Sequence, residues 1–187
     1  GQEAEGFKLP QFETEFPNEG IAIMPWLDIA GVTLPLAQAI GRWANFVNQE
    51  LYGFPTQLPW GISIPADARV SQVASLVEYP IDTTRFHPLF LYESIWNALA
   101  FVVLLRLYTR NFDRFRPGDF FLLYLAQYSF VRFFLEFLRI EKAIAYGVNT
   151  SQVVTIVVFV LAVGIFLYRR TQAPAPTNTT ETASEGV

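Results

Sequence analysis

Three uninterrupted apolar stretches decide what this 187-residue chain can fold into. They are LFLYESIWNALAFVVLLRL at about 89–107, FFLLYLAQYSFVRFFLEFL at 120–138 and QVVTIVVFVLAVGIFLY at about 152–168. Each approaches the ~20 residues that a helix needs to cross ~30 Å of hydrocarbon. Within lipid every backbone N–H and C=O must be satisfied inside the segment, which selects helix. A soluble helical domain is the alternative, but the chain is 52% hydrophobic with 18 Phe and only 16% charged residues. Three such segments exceed what a small core covers. The expected fold class is therefore an all-α polytopic membrane protein with three transmembrane helices plus one short embedded or interfacial helix.

The short helix is expected over about 35–50. Leu36, Ala39, Ile40, Trp43 and Val47 recur at three- and four-residue intervals, and Pro35 suits a first helical turn. Residues 1–26 read as an acidic polar segment, with five glutamates in 1–19 and neither a basic start nor an apolar core of the signal-peptide kind. Residues 27–170 form the membrane domain. Within it, 53–87 is an irregular loop punctuated by Gly53, Pro55, Pro59, Gly61, Pro65 and Pro80, in which SQVASLVEYP could hold a short strand or hairpin edge. The Pro/Thr/Ala-rich residues 171–187 read as a disordered tail.

Charge orients the spans. Arg106, Arg110, Arg114 and Arg116 follow the first span, and Arg169 with Arg170 end the third. The positive-inside rule puts both ends, and so the C-terminus, in the cytoplasm, leaving loops 53–87 and 140–151 on the outer face. Nothing in this distribution resembles a nucleic-acid footprint. The absence of cysteine excludes disulfides and thiolate catalysis by this chain.

Ionisable groups at membrane depth are costly and usually functional. Arg132 and Glu136 are four residues apart and share a helix face, with Arg139 near the same stripe. They read either as a structural ion pair with a snorkelling anchor, or as a polar cavity in which Arg132 receives an anionic headgroup. Arg42, Asn45 and Asn48 form a second stripe, followed by Glu50, and both capping and ligand binding remain open for it. His87, the sole histidine, precedes Tyr92 and Glu93, and Glu93 can balance an arginine across the bundle. One imidazole without companions is no metal site, and none is expected. It can serve as a base or as an interfacial framework group.

Four segments in order carry a family resemblance. GRWANFVNQELYG at 41–53 resembles the signature of the prolipoprotein diacylglyceryl transferase family. LPWGI at 58–62, FHPLFLYES at 86–94 and YSFVRFFLEFLR at 128–139 are similar to family segments that follow it. Ala44 and Ser129 stand where glycine is common. The resemblance covers about residues 25–170 and corresponds to the C-terminal portion of the family.

What the resemblance implies is transfer of a diacylglyceryl group from phosphatidylglycerol to the lipobox cysteine thiol of prolipoproteins, with no cofactor, in the bacterial inner (cytoplasmic) membrane. Its partners would be phosphatidylglycerol, the prolipoprotein signal-peptide region and a separate N-terminal half, with no nucleic acid. By position, Arg132 and Glu136 match catalytic residues, while Arg42, Asn45, Asn48, Glu50 and Gly53 match the phosphatidylglycerol-binding signature. His87, Tyr92, Glu93 and Arg139 match framework positions. The family's upstream histidine-glycine-glycine motif, with its proposed base, has no counterpart in this sequence. Rival readings are a catalytically incomplete lipid-binding half-protein and a transporter fragment with an Arg132–Glu136 gate.

Overall fold

The computed structural model describes residues 23–142, 144–145 and 148–172. The expectations for the acidic segment and for the tail fall almost wholly outside these residues. Four α-helices lie among the described residues: α1 (Ile23–Val47), α2 (Leu89–Asn111), α3 (Asp119–Leu138) and α4 (Thr150–Thr171). All four are long and apolar enough to cross a membrane. The helix expected over 35–50 instead begins at Ile23, twelve residues before Pro35, and stops at Val47. Pro35 lies buried inside it rather than at its first turn. At about 1.5 Å per residue, 25 residues reach roughly 37 Å, long enough for a full crossing and longer than the expected short helix. Its apolar residues from Ile23 onward outweigh the single break that proline introduces.

The helices run up and down, so that two ends of the bundle are defined. α1 packs on α2 and α3, and α4 packs on α3. Exposed apolar residues cover the outside, including Leu99, Val102 and Val103 on α2 and Val153, Val157, Val160 and Leu161 on α4. In water these would form patches far larger than a soluble monomer tolerates, whereas lipid is their natural solvent.

At the arginine-rich end, buried carboxylates tie the helices. Asp28 of α1 accepts hydrogen bonds from the backbone N–H groups of Gly118 (2.6 Å), Phe120 (2.9 Å) and Phe121 (3.3 Å). These N–H groups at the start of α3 have no partner within their own helix, and the helix dipole adds to the attraction. The approach is close: a Cβ on Gly31 would lie 2.8 Å from the Phe120 carbonyl oxygen. Gly118 has φ +94°, a conformation glycine adopts freely. Asp119, fully buried, faces Arg169 at 3.0 Å and Arg170 at 3.7 Å.

The opposite end carries a small folded cap. Strand β1 (Pro55–Thr56) pairs antiparallel with β2 (Arg85–Phe86), joining Pro55 to Phe86 and Thr56 to Arg85. Between them Tyr52, Ile64, Val73, Phe86 and Ile140 form a core. Arg69 is buried there, giving Nε–H to the Ile64 carbonyl at 2.9 Å and stacking 5.2 Å over Phe86. SQVASLVEYP contains a single 3-10 turn at Ser71–Val73 and bends, not a strand. The extended pairing lies at the two ends of the loop instead. A second ladder, β3 (Ile144–Ala145) with β4 (Val148–Asn149), leads into α4.

Candidate functional site

Three helices converge on one buried carboxylate beneath the cap. Glu93, in the second turn of α2, is 3% exposed. Its Oε2 pairs with Nε of Arg42 from the last turns of α1, and its Oε1 pairs with Nη1 of Arg132 from α3 at 2.8 Å. Arg42 also donates from Nη2 to the Tyr128 hydroxyl at 3.4 Å. Four residues along α3 from Arg132 lies Glu136, 1% exposed, whose Oε2 is 3.8 Å from both Arg132 and Arg139. Its Oε1 accepts from Asn149 Nδ2 at 3.1 Å. The i,i+4 spacing points to Glu136 as the partner of Arg132, but the shorter contact is to Glu93 on another helix.

The groups enclose a cavity of about 20 Å³ lined by Arg42, Asn45, Glu93, Arg132 and Arg139 together with Leu51, Leu89 and Phe90. Around it three arginines face two glutamates, so one positive charge is in excess. A guanidinium stays protonated at any working pH and offers a planar fork suited to phosphate oxygens. The cluster is thus a cationic, partly desolvated site that an anion can join by sharing arginines already gathered. Chemically it can neutralise and orient charge. Both glutamates are already held in ion pairs, so the cluster offers no unpaired carboxylate as a base.

The remaining sequence-predicted residues divide. Asn48 and Glu50 are exposed and bonded to each other, Asn48 Nδ2 donating to Glu50 Oε1 at 3.2 Å. They lie in the turn after α1, where Gln49 and Leu51 both have φ +55°. Such a conformation costs a non-glycine residue roughly 1–2 kcal/mol and is unusual for leucine. Gly53 is buried and acts through space: a Cβ there would stand 2.7 Å from the Leu138 carbonyl oxygen. Its backbone bridges Arg139, and its N–H donates to the His87 carbonyl at 2.9 Å. His87 Nδ1 lies 3.1 Å from the Tyr92 hydroxyl, which also accepts from Trp60 Nε1 at 2.9 Å. Burial pushes the His87 pKa below its usual value. His87 and Tyr92 therefore form a polar strut between cap and α2, apart from the arginine cluster.

The structure adds residues that sequence reasoning passed over. Asn149 caps α4 through Gln152 N–H and also holds Glu136. An asparagine directly before an apolar span was the available signal. Asn97, one turn beyond Glu93, is fully buried, and neither of its amide atoms has a partner among the described residues. Asp28 and Asp119 were visible as lone acids beside apolar runs. Among the described residues no group of His, Cys, Asp and Glu could hold a metal ion.

A bundle of apolar helices, each long enough to cross a membrane, that gathers arginines around buried glutamates beneath a folded cap defines a polytopic membrane protein with an internal cluster of charged groups. Comparison with known proteins narrows the class. A family model described as prolipoprotein diacylglyceryl transferase matches residues 14–168. The chain is similar to the phosphatidylglycerol–prolipoprotein diacylglyceryl transferase of Chloroflexus aggregans, with 44% identity over 175 residues, covering 84% of this chain and 57% of the relative. It is 40% identical over 157 residues to that of Gloeobacter violaceus, covering 83% and 55%, and 38% identical over 151 residues to that of Listeria monocytogenes, covering 80% and 51%. This chain belongs to the prolipoprotein diacylglyceryl transferase family, and corresponds to its C-terminal portion. It spans about half the length of the curated relatives it matches.

Proposed function

We propose that this chain supplies the phosphate-handling part of a phosphatidylglycerol–prolipoprotein diacylglyceryl transferase. The observation that carries this reading is the convergence of Arg42 and Arg132, from different helices, on Glu93, with Arg139 leaving one positive charge in excess. A phosphodiester carries one negative charge and matches that excess. In the reaction a C–S bond forms between the lipobox cysteine and the diacylglyceryl carbon, while that carbon's bond to the phosphate oxygen breaks. Charge then builds on the departing glycerol phosphate, where Arg42 and Arg132 stabilise it. Glu93 and Glu136 hold the arginines in place until the lipid enters.

A cavity of about 20 Å³ accommodates roughly one water, so the headgroup is admitted only as Arg42 and Arg132 turn from Glu93 toward the phosphate. The base that generates the thiolate comes from the part of the family's fold that this chain does not span, because the thiolate is the effective nucleophile and the cluster offers no free base. Asn45 lines the cavity and orients the headgroup, whereas Gly53, Asn48 and Glu50 shape the turn that borders it.

The protein lies in the bacterial cytoplasmic membrane with its arginine-rich end and C-terminus in the cytoplasm. The site is then close to the outer face, where the cap meets the prolipoprotein. Single cysteines introduced at Asp113 and Gln57 report this without background, since the chain has none of its own. A membrane-impermeant maleimide added to spheroplasts labels Gln57→Cys only; labelling of Asp113→Cys instead reverses the orientation. The reaction is tested with Arg132→Ala together with the upstream portion and a lipobox peptide. Transfer of radiolabelled diacylglyceryl falls by about 10²–10³-fold, the scale of losing one preorganised donor to developing charge. Turnover close to wild type would remove Arg132 from the chemistry.

A further inference from the structure

The arginine-rich end of the bundle has its own cavity, far from Glu93 and unused by the transfer. It measures about 260 Å³ and is lined by Asp113, Arg114, Phe115, Arg116, Arg170 and Gln172, where the α2–α3 connection meets the end of α4. Three arginines face one aspartate. Of the other acids at this end, Asp119 is already engaged by Arg169 and Arg170, and Asp28 by backbone N–H groups at the start of α3.

Two of the three arginines are held in place. The Arg170 guanidinium lies 4.7 Å over the Phe115 ring and 5.0 Å over Phe166, with Nη1 donating to the Arg114 carbonyl at 2.6 Å. Arg116 donates from Nη2 to the Gln172 carbonyl at 2.5 Å. A guanidinium fixed by stacking loses little further freedom on binding, which favours capture of a planar set of phosphate oxygens. The positive-inside rule asks only for arginines on this side. It does not ask for them around a cavity several times the ~30 Å³ share of one water.

We infer that this cavity binds the phosphate headgroup of an anionic lipid from the leaflet at the arginine-rich end. A lipid is favoured over free phosphate by what borders the pocket. Phe112, Leu167 and Tyr168 are exposed beside it and continue into the apolar flanks of α2 and α4, along which acyl chains can lie. The bound headgroup bridges the α2–α3 connection to the end of α4. It thereby reinforces the clasp that Asp119 makes with Arg169 and Arg170.

The test is lipid titration of the purified chain in detergent, with bound lipids counted by native mass spectrometry. Phosphatidylglycerol is the anionic probe, phosphatidylcholine the zwitterionic control and inorganic phosphate the competitor. Arg114→Gln/Arg116→Gln leaves the central cluster and the Asp119 clasp intact, and its fold is checked by thermal melting. It is expected to retain at least about tenfold less phosphatidylglycerol at this site, with weak phosphatidylcholine binding throughout. Arg132→Gln reports the central site independently, so failure of either reading is distinguished from the other. Equal phosphatidylglycerol retention by the folded double variant overturns the proposal. Equal retention of phosphatidylcholine, or displacement of the lipid by millimolar inorganic phosphate, overturns it as well.

Discussion

Glu93→Gln isolates the electrostatic logic of the site, because it removes one charge while keeping shape and one acceptor oxygen. In the wild type, the Arg132–Glu93 contact of 2.8 Å corresponds to a gross attraction of about 6 kcal/mol at an effective dielectric of about 20. Desolvation opposes most of that, so the net effect of the change is set by what remains: two arginines facing each other over a neutral amide. Breaking one side of a buried ion pair costs about 3–5 kcal/mol. Arg42 and Arg132 keep 21% and 22% side-chain exposure, which places the loss near the lower end. About 3 kcal/mol corresponds to a fall in melting temperature of roughly 6–12 °C for a chain of this size. Tryptophan fluorescence reports the transition, since Trp43 and Trp96 belong to the same helices. Adding Arg42→Gln removes the unbalanced cation and is expected to recover about 1–2 kcal/mol, the size of coupling between contacting residues. If Glu93→Gln melts within about 2 °C of wild type, or the double variant loses the sum of the single losses, the carboxylate does not hold the two arginines.

Gly53→Ala forces a methyl group against the Leu138 carbonyl and the His87 side chain, and overpacking of this kind costs about 1–3 kcal/mol. Faster cleavage of loop 53–87 by a soluble protease is the expected readout. Acid acts on the strut between cap and α2. With its pKa depressed in the folded state, His87 binds protons more readily when unfolded, so its contribution is intact above its unfolded value of about 6.5 and is lost as pH falls through the folded one. The melting temperature of the wild type should therefore drop more steeply between about pH 7 and pH 5 than that of His87→Gln. Parallel slopes would place the acid sensitivity elsewhere.

The helices α2, α3 and α4 were legible because their apolar runs match the thickness of a bilayer. Pro35 obscured α1: proline at a first turn is common, and the run before it, IAIMPWLDIAG, is interrupted by Pro25 and Asp28. Both interruptions are absorbed, Pro25 by lying in the first turn and Asp28 by receiving N–H groups from α3. The stripe Arg132, Glu136 and Arg139 was readable because helical neighbours follow from spacing alone. That Glu93 balances an arginine across the bundle was also legible, but not that Arg42 and Arg132 both serve, since this depends on how separate helices rotate and slide. Likewise, the signature at 41–53 reads as one unit in sequence. In space it splits into Arg42 and Asn45 at the cavity, an exposed Asn48–Glu50 pair, and Gly53 as a point of close backbone approach.

The Asp28 clasp has a consequence for how the chain enters the membrane. Helix α1 is made before α2 and α3 and carries Asp28 and Arg42, yet their partners lie 90 residues later at Gly118 and 51 residues later at Glu93. Until α3 is made, Asp28 has none of its three N–H donors and must stay near the headgroups or beside water. Insertion of α1 is thus provisional and becomes final only when α3 docks. A nascent chain stopped after α2 leaves Asp28 without these three donors and α1 held close to the headgroups, a mark by which incomplete copies differ from finished ones.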